Sequence, residues 1–396
     1  MSWRGFLGRK EDTVIWIALK MLMGDKSKYF AIVFGVSFAC FLITEQSAIF
    51  CGVMLRTTSQ IRDTHGADIW VMNTGVRYVD DLKAISDDDL FRVRSVPGVA
   101  WAVNLYRGQG QAQLADGTYQ GVILMGLDDA SLTGAPTHML VGKIGDLQFP
   151  DAILVDEAGF HQMWPGEPLH AGRVIEMNQR RAVVVGVYRA SQTFMTMPII
   201  YTRFSQATLF VPPTPTGRLT PFVLAKAQPG VDPEELTRRI AEQTDLKALT
   251  NVGFANLTMM YYLQHTGIPV NFGTTVLLAF LVGTAIAGQT FYLFTVENLK
   301  QFGTLKAMGM SDQRIVAMIL IQGGVVGAIG YGVGVGLASA YGIFAQRAMP
   351  LLAFFLPWQV LALSAAAMTL IVLLASLLSI RRVLVLEPAI VFQGGA

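Results

Sequence analysis

The residues of this chain that could do chemistry are few and far apart. Among its five histidines, His138, His161 and His170 are scattered. The nearest approach to a metal pair, His161 with His170 near Met163, lacks the i, i+4 spacing that sets two imidazoles on one helix face. Packed or surface histidines account for them more simply. Met195 and Met197 beside Pro198 offer soft thioethers to a metal or a hydrophobic substrate, although flexible gap-filling is the simpler role. Asp87, Asp88 and Asp89 follow Ser86 and read as a helix N-terminus, where negative charge meets the helix dipole. No nucleophile has a base beside it in the pattern. Nor does a G-x-x-x-x-G-K-[ST] loop occur, so ATP is not cradled here in the usual way. The chain is therefore expected to be no enzyme, to bind no cofactor or metal directly, and to draw energy from a partner or an ion gradient. Proton-coupled carriers place several ionisable groups inside the bilayer, whereas only Glu45 lies within an apolar stretch here. That disfavours an ion-driven carrier.

The entry point for a partner's force is the segment Glu297 to Arg314, ENLKQFGTLKAMGMSDQR, a short polar helix pattern between two uncharged stretches. Phe302, Leu305 and Met308 fall at i, i+3 and i+6 and can share one face for a partner groove. Lys300 and Lys306 flank that face, Gly303 interrupts helix propensity, and Gly309 suits a C-terminal turn. In a different reading, the lysines only fix topology and the apolar face rests on the lipid surface.

The elements that must position this segment follow from composition. The 396 residues are 52% hydrophobic and 15% charged, too apolar for an ordinary soluble enzyme, yet about half of the chain reads as water-exposed. A net charge of +2 with no basic patch excludes nucleic acid as a partner. A span needs about 20 mostly apolar residues. Charges are absent between Lys247 and Glu297, between Arg314 and Arg347, and between Arg347 and Arg381. With the stretch 29–55, apolar apart from Thr44, Glu45, Gln46 and Ser47, four spans are expected, at 29–55, 270–296, 315–346 and 358–380. A cleaved signal peptide is the competing reading of the first, but its apolar run is too long and no small-residue cleavage site follows. Cys40 and Cys51 lie eleven residues apart in that one span, about 16 Å along a helix, and cannot pair with each other.

Lys and Arg collect before the first span (Arg4, Arg9, Lys10, Lys20, Lys26, Lys28), between the second and third (Lys300, Lys306, Arg314) and after the fourth (Arg381, Arg382), while the loop 347–357 holds only Arg347. The excess of positive charge marks the cytoplasmic side. Both termini and the segment 297–314 are thus expected inside, and residues 56–269 outside. Val14, Ile17, Ala18, Met21 and Leu22 make residues 1–28 an amphipathic helix expected along the inner interface. The tail is 381–396. The fold class is therefore membrane α-helical, with four transmembrane helices and a large α+β extracytoplasmic domain inserted between helices 1 and 2.

The insert is long enough for its own core. Val99 to Leu114 and Thr118 to Leu127 flank Asp116-Gly117, whose residues suit the positive φ angles of a tight hairpin. Asp232, Pro233 and Glu235 supply an N-cap, a first-turn proline and a capping-box acid for a helix to about Gln243, preceded by a strand at Phe222 to Ala225. Further strands are expected at Ile153 to Val155 and Arg173 to Tyr188, with Val183, Val184 and Val185 as a buried run, and Pro212, Pro213 and Pro215 as a subdomain connection. In the third span, Gly323 with Gly327 and Gly332 with Gly336 form small-x-x-x-small pairs that permit close helix packing, on a second copy or on neighbouring spans. Glu45, in a polar stretch, either sits near the outer end of its helix, facing water or an interhelical hydrogen bond, or lines a vestibule between two copies of the first span and meets the head of an amphipathic substrate.

The stretch from Gly283 to Gln322, with FGTLKAMGMSDQRI at its centre, resembles the signature of FtsX-like permeases of the MacB type, membrane subunits of ABC systems. The ending RRVLVLEPAIVF, with Glu387 and Pro388, is similar to the family's C-terminal pattern, which makes 270–392 the FtsX-like region, and 56–269 resembles a MacB-like periplasmic core domain. GADIWVM at Gly66 to Met72 looks most like the DevC group. The resemblance implies that residues Lys300, Phe302, Gly303, Thr304, Leu305, Lys306, Ala307, Met308 and Gly309 couple to a separate cytoplasmic ABC ATPase present in two copies, which binds ATP and Mg. It further implies a homodimer in the bacterial inner membrane, relaying ATPase closure to the outer domain by mechanotransmission and exporting a hydrophobic or amphipathic substrate. A periplasmic adaptor and an outer-membrane duct would complete a tripartite efflux system. An FtsX-type signalling protein that activates a cell-wall hydrolase and a lipoprotein-releasing permease are the alternatives; the large outer domain favours export.

Overall fold

A computed structural model describes residues 16–24, 26–211, 220–349 and 352–384. Val14, the proline cluster and the tail carrying Glu387 and Pro388 lie outside them. The chain divides into a helical unit, Met1–Val53 with Gly267–Ala396, and an inserted unit, Met54–Thr266.

In the helical unit, α1 (16–24) is followed by α2 (Lys26–Thr57), and after the insert come α9 (Ile268–Glu297), α10 (Leu299–Ala307), α11 (Asp312–Ala348) and α12 (Trp358–Leu384). Among the described residues, four stretches are long and apolar enough to cross a membrane: Tyr29–Thr57, Ile268–Glu297, Asp312–Ala348 and Trp358–Arg381. Their shared core includes Val36, Ala39, Ile43, Ala287, Phe291, Val326, Ile371 and Ala375. The apolar face of α1 packs on this protein core, with Ala18 and Leu22 buried. The side-chain amide of Gln322 in α11 donates to the Ala18 carbonyl at 2.9 Å. The helix expected along the inner interface thus sets these residues against the protein's own helices. Cys40 and Cys51 are both free thiols on α2.

The inserted unit holds α3 (Ser59–Asp63), β1 (Ile69–Met72), α4 (Asp87–Arg94), β2 (Val99–Gln113), β3 (Tyr119–Leu127), β4 (Met139–Val141), β5 (Ala152–Asp156), α5 (Glu157–Met163), β6 (Val174–Met177), β7 (Arg180–Tyr188), β8 (Ile199–Arg203), α6 (Phe204–Phe210), β9 (Phe222–Ala227), α7 (Pro233–Thr244), β10 (Lys247–Thr250) and α8 (Asn251–His265). Its mixed sheet runs β10-β1-β9-β2-β3-β8-β5-β7-β4, with β6 bridging β2 and β7. The long strand β2 serves two halves: Val99 to Leu105 pairs with β9, and Tyr106 to Gln113 with β3. In the first half, alternation places Ile69 and Val71 among residues of α4 and α7, and Trp70 and Met72 in the opposite cluster with Phe254 of α8. This is the period of two that a strand imposes.

Several local expectations hold in detail and others shift. The β2–β3 hairpin forms, but Leu114 N–H bonds the Thr118 carbonyl across a three-residue loop in which Gly117 alone has positive φ, +85°. Ser86 and Asp89 complete a capping box at α4. Asp232 caps α7, whereas Glu235 turns to Arg239 at 2.9 Å instead of closing a box. On β7, Val184 is buried while Val183 and Val185 are half-buried, because the strand alternates rather than burying both faces.

Asp156 at the start of α5 is 5% exposed and accepts from the backbone N–H of Ile199 (2.7 Å) and Gly159 (3.1 Å). Burial, only partly offset by those bonds, pushes its carboxyl up to about 6. The folded state then holds the proton more tightly than the unfolded chain, so this group's contribution falls as pH rises from about 4 to about 6, by roughly 3 kcal/mol. Asp156→Asn removes that dependence. Unfolding at pH 4 and at pH 7 should show the native chain gaining relative to Asp156→Asn at the lower pH; a constant difference between the two proteins would refute the assignment.

Candidate functional site

The polar segment between the second and third apolar helices is built as a short helix held at both ends. Asn298 ends α9 and opens α10, its side-chain amide donating to the Phe294 carbonyl at 2.7 Å. At the other end Gly309 takes φ +90°. Its N–H reaches the Lys306 carbonyl (3.0 Å), and Met310 N–H reaches Leu305 (3.1 Å). Those two bonds are the Schellman pattern, which requires a left-handed residue after the cap, so glycine at 309 is the residue type the turn demands.

The face of α10 differs from the one expected. Phe302 is fully buried in a cluster with Ile315 and Ile319 of α11 and Ile380 and Val383 of α12. It anchors the helix to its own chain, and burying such a ring is worth about 1.5–3 kcal/mol. Gly303 beside it is also buried, and Leu305 is half-buried. Phe302, Leu305 and Met308 therefore do not form one free face. Lys306 is tied down as well, pairing with Asp312 at 3.0 Å. What remains outward is Lys300, Gln301, Thr304, Ala307 and Met308, at spacings that make one helical stripe. Met308 is 71% exposed, a large apolar side chain at the tip of a polar loop.

The glycines of α11 separate into three faces. Side chains added at Gly323 and Gly327 would meet Val372 of α12, and at Gly330 and Gly334 would meet Val36 and Cys40 of α2. A Cβ added at Gly332 or Gly336 would meet nothing within 4 Å. The first expected pair thus packs within the chain and the second does not. Glu45 is 7% exposed, its carboxylate accepting from Gln46 Nε2 at 2.8 Å. His161 and His170 both lie against the Phe160 ring, and among the described residues no cluster of three or more metal-ligating side chains occurs.

In the inserted unit the sequence reading missed Arg107. It rises from β2, 3% exposed, and donates to Gln60 Oε1 of α3 (2.7 Å), the Val79 carbonyl (3.1 Å) and Asp80 Oδ1 (2.6 Å). Asp80 also accepts from the Tyr262 hydroxyl of α8 at 3.2 Å. One buried guanidinium thereby joins the first helix of the unit, the long strand and the last helix. A lone Arg in an otherwise uncharged strand was the available signal.

Residues 29–243 match the MacB-like periplasmic core domain and residues 273–388 the FtsX-like permease C-terminal region. An uncharacterized ABC transporter permease of Mycobacterium bovis (strain ATCC BAA-935 / AF2122/97) is 32% identical over 119 residues, which are 30% of this chain and 32% of the relative. The match thus spans about a third of that relative's length. Another, from Mycobacterium tuberculosis (strain ATCC 25618 / H37Rv), is 23% identical over 341 residues, 84% of this chain and 86% of the relative. Among solved structures, the extracellular domain of the noncanonic ABC-type transporter YknZ from Gram-positive bacteria is similar at 11% identity and TM-score 0.35, covering 46% of this chain and all of that one. The periplasmic region of MacB from Actinobacillus actinomycetemcomitans gives 14% and 0.35, covering 52% and 96%. Since the core-domain match alone takes in more than half of the 396 residues, the chain belongs to the MacB-like periplasmic core domain family, with an FtsX-like permease C-terminal region.

Proposed function

We propose that the chain is the permease subunit of an ABC exporter of the MacB type, driven by a separate ATPase. The observation that carries this reading is α10: a helix locked to its own spans by Phe302 and a Schellman turn, presenting Lys300, Thr304, Ala307 and Met308 outward. A rigid, short helix between two spans transmits a push, whereas a flexible loop would absorb it. Two ATPase copies with their ATP and Mg dock on the α10 helices of two permease copies, and the inserted unit lies outside the inner membrane. The spans relay ATPase closure to it by mechanotransmission, moving a hydrophobic or amphipathic substrate toward a periplasmic adaptor and an outer-membrane duct, in the manner of the DevC group. Both relatives described as ABC transporter permeases support the ATPase partnership.

Orientation is the first test. Asp116 sits in the β2–β3 loop at ordinary φ, which makes it a better cysteine site than Gly117, and Gln301 is exposed on α10. With Cys40 and Cys51 replaced by serine, Asp116→Cys should react with an impermeant maleimide in intact cells and Gln301→Cys only after lysis. The reverse pattern would overturn the proposal.

A further inference from the structure

Within the inserted unit, a cavity of about 420 Å³ opens between the end of α3 and strands β7 and β8. Asp63 of α3 supplies its carboxylate, which accepts from the backbone N–H of Ser191 at 2.8 Å and from the Ser191 hydroxyl at 3.0 Å. Both donors are neutral, and among the described residues no cation pairs with Asp63. The arginine of the lining, Arg189, is already matched by Glu157 at 2.9 Å. Apart from its two exposed histidines, His65 and His138, the cavity therefore carries one uncompensated negative charge, fixed in direction by two hydrogen bonds. Tyr188 and Tyr201 form an aromatic wall, their ring centroids 5.2 Å apart at 76°. The Tyr188 hydroxyl is spent on the Ile199 carbonyl at 3.1 Å. The Tyr201 hydroxyl is not: the residue is 4% exposed, yet its oxygen has no partner among the described residues and stays open to the cavity. Burial, and after it the Asp63 carboxylate, hold this phenol well above its ordinary pKa, so it remains a neutral hydroxyl with a free lone pair. A buried polar group left unpaired is costly to keep and calls for an explanation.

We propose that this cavity binds an organic ammonium group: Asp63 takes the charge, the Tyr201 oxygen accepts one N–H, and the apolar body of the ligand lies along Tyr188, Ile199 and Pro136. The two groups left open both accept, which suits a donor cation. Hydrogen bonds to charged groups are the stronger kind, and tyrosine rings attract cations further. An anion would meet the unpaired Asp63 carboxylate and be repelled. A bare divalent ion would lack ligands, because among the described residues no group of three or more His, Cys, Asp or Glu is placed to hold a metal. The inference is independent of the exporter reading, since binding to the inserted unit needs no ATPase.

The test titrates butylammonium into the full-length chain in phosphatidylcholine nanodiscs, with the heat of empty nanodiscs subtracted, at about pH 8, where histidine side chains are neutral. The native protein should bind it saturably, and 1-butanol and butyrate at least tenfold more weakly. Asp63→Asn removes the charge and should weaken butylammonium by about tenfold or more. Tyr201→Phe removes only a hydroxyl that holds nothing within the protein, so it should keep normal membrane levels and melting temperature while affinity falls by about fivefold. Nanodiscs of phosphatidylethanolamine then identify the source: loss of butylammonium binding there would assign the ammonium to a lipid headgroup, and undiminished binding would assign it to a soluble amine. Native affinity in either variant would overturn the site. So would equal binding of 1-butanol, or no saturable binding by the native chain in phosphatidylcholine.

Discussion

Met308→Asp, alone or with Ala307→Asp, should leave the permease in the membrane at normal levels and cut capture of its ATPase by about thirtyfold, near the 2 kcal/mol that marks an interface hot spot. Met308 is 71% exposed and makes no part of the buried cluster under α10, so a charge there costs the fold little. A partner groove that desolvates the thioether would have to desolvate a carboxylate instead. Phe302→Asp is the informative contrast. It buries an unpaired charge at a fully enclosed site and should lower the amount of folded protein before any coupling is measured. Pull-down and ATP-driven transport measured on both variants separate the two roles. Normal capture and transport in Met308→Asp would remove the outward stripe from the coupling assignment.

Arg107→Ala should strongly destabilise the inserted unit. It strands Asp80 and Gln60 in surroundings where Arg107 is 3% exposed. Breaking one partner of a buried pair costs about 3–5 kcal/mol. For a unit of this size that lowers the melting temperature by roughly 6–20 °C. Near-UV circular dichroism of the full chain in nanodiscs would read it through the buried Trp70. Arg107→Met with Asp80→Asn removes both charges and should recover much of the loss, because the penalty lies in the unpaired group rather than in the absence of the pair. An unchanged melting temperature in Arg107→Ala would show that the network is not a structural joint.

The spans were legible because charge is excluded from them, and the absence of Asp, Glu, Lys and Arg is a signal that needs no partner information. Ser86 with Asp89 and Asp232 with Pro233 were legible for a similar reason: caps are local, and their geometry is written within four residues. The orientation of α10 was not. Phe302, Leu305 and Met308 at helical spacing can face a partner or the chain's own spans, and only the position of Ile315, Ile319 and Ile380 decides between them. Glycine pairs in α11 were visible as a pattern, but assigning 323 and 327 to α12, 330 and 334 to α2, and 332 and 336 to neither requires knowing which helices lie where. Arg107 depends on three segments meeting from distant parts of the chain, which no local pattern encodes.

The inserted unit begins just before α3 and ends with α8, and these two helices pack against each other with Tyr262 and Gln60 meeting the same Arg107–Asp80 pair. Its two ends therefore emerge side by side, as in domains that tolerate transplantation into a host loop. A replacement unit has to match only that one spacing, so the stretch between Thr57 and Thr266 can be exchanged as a cassette without redesigning the apolar helices that receive it.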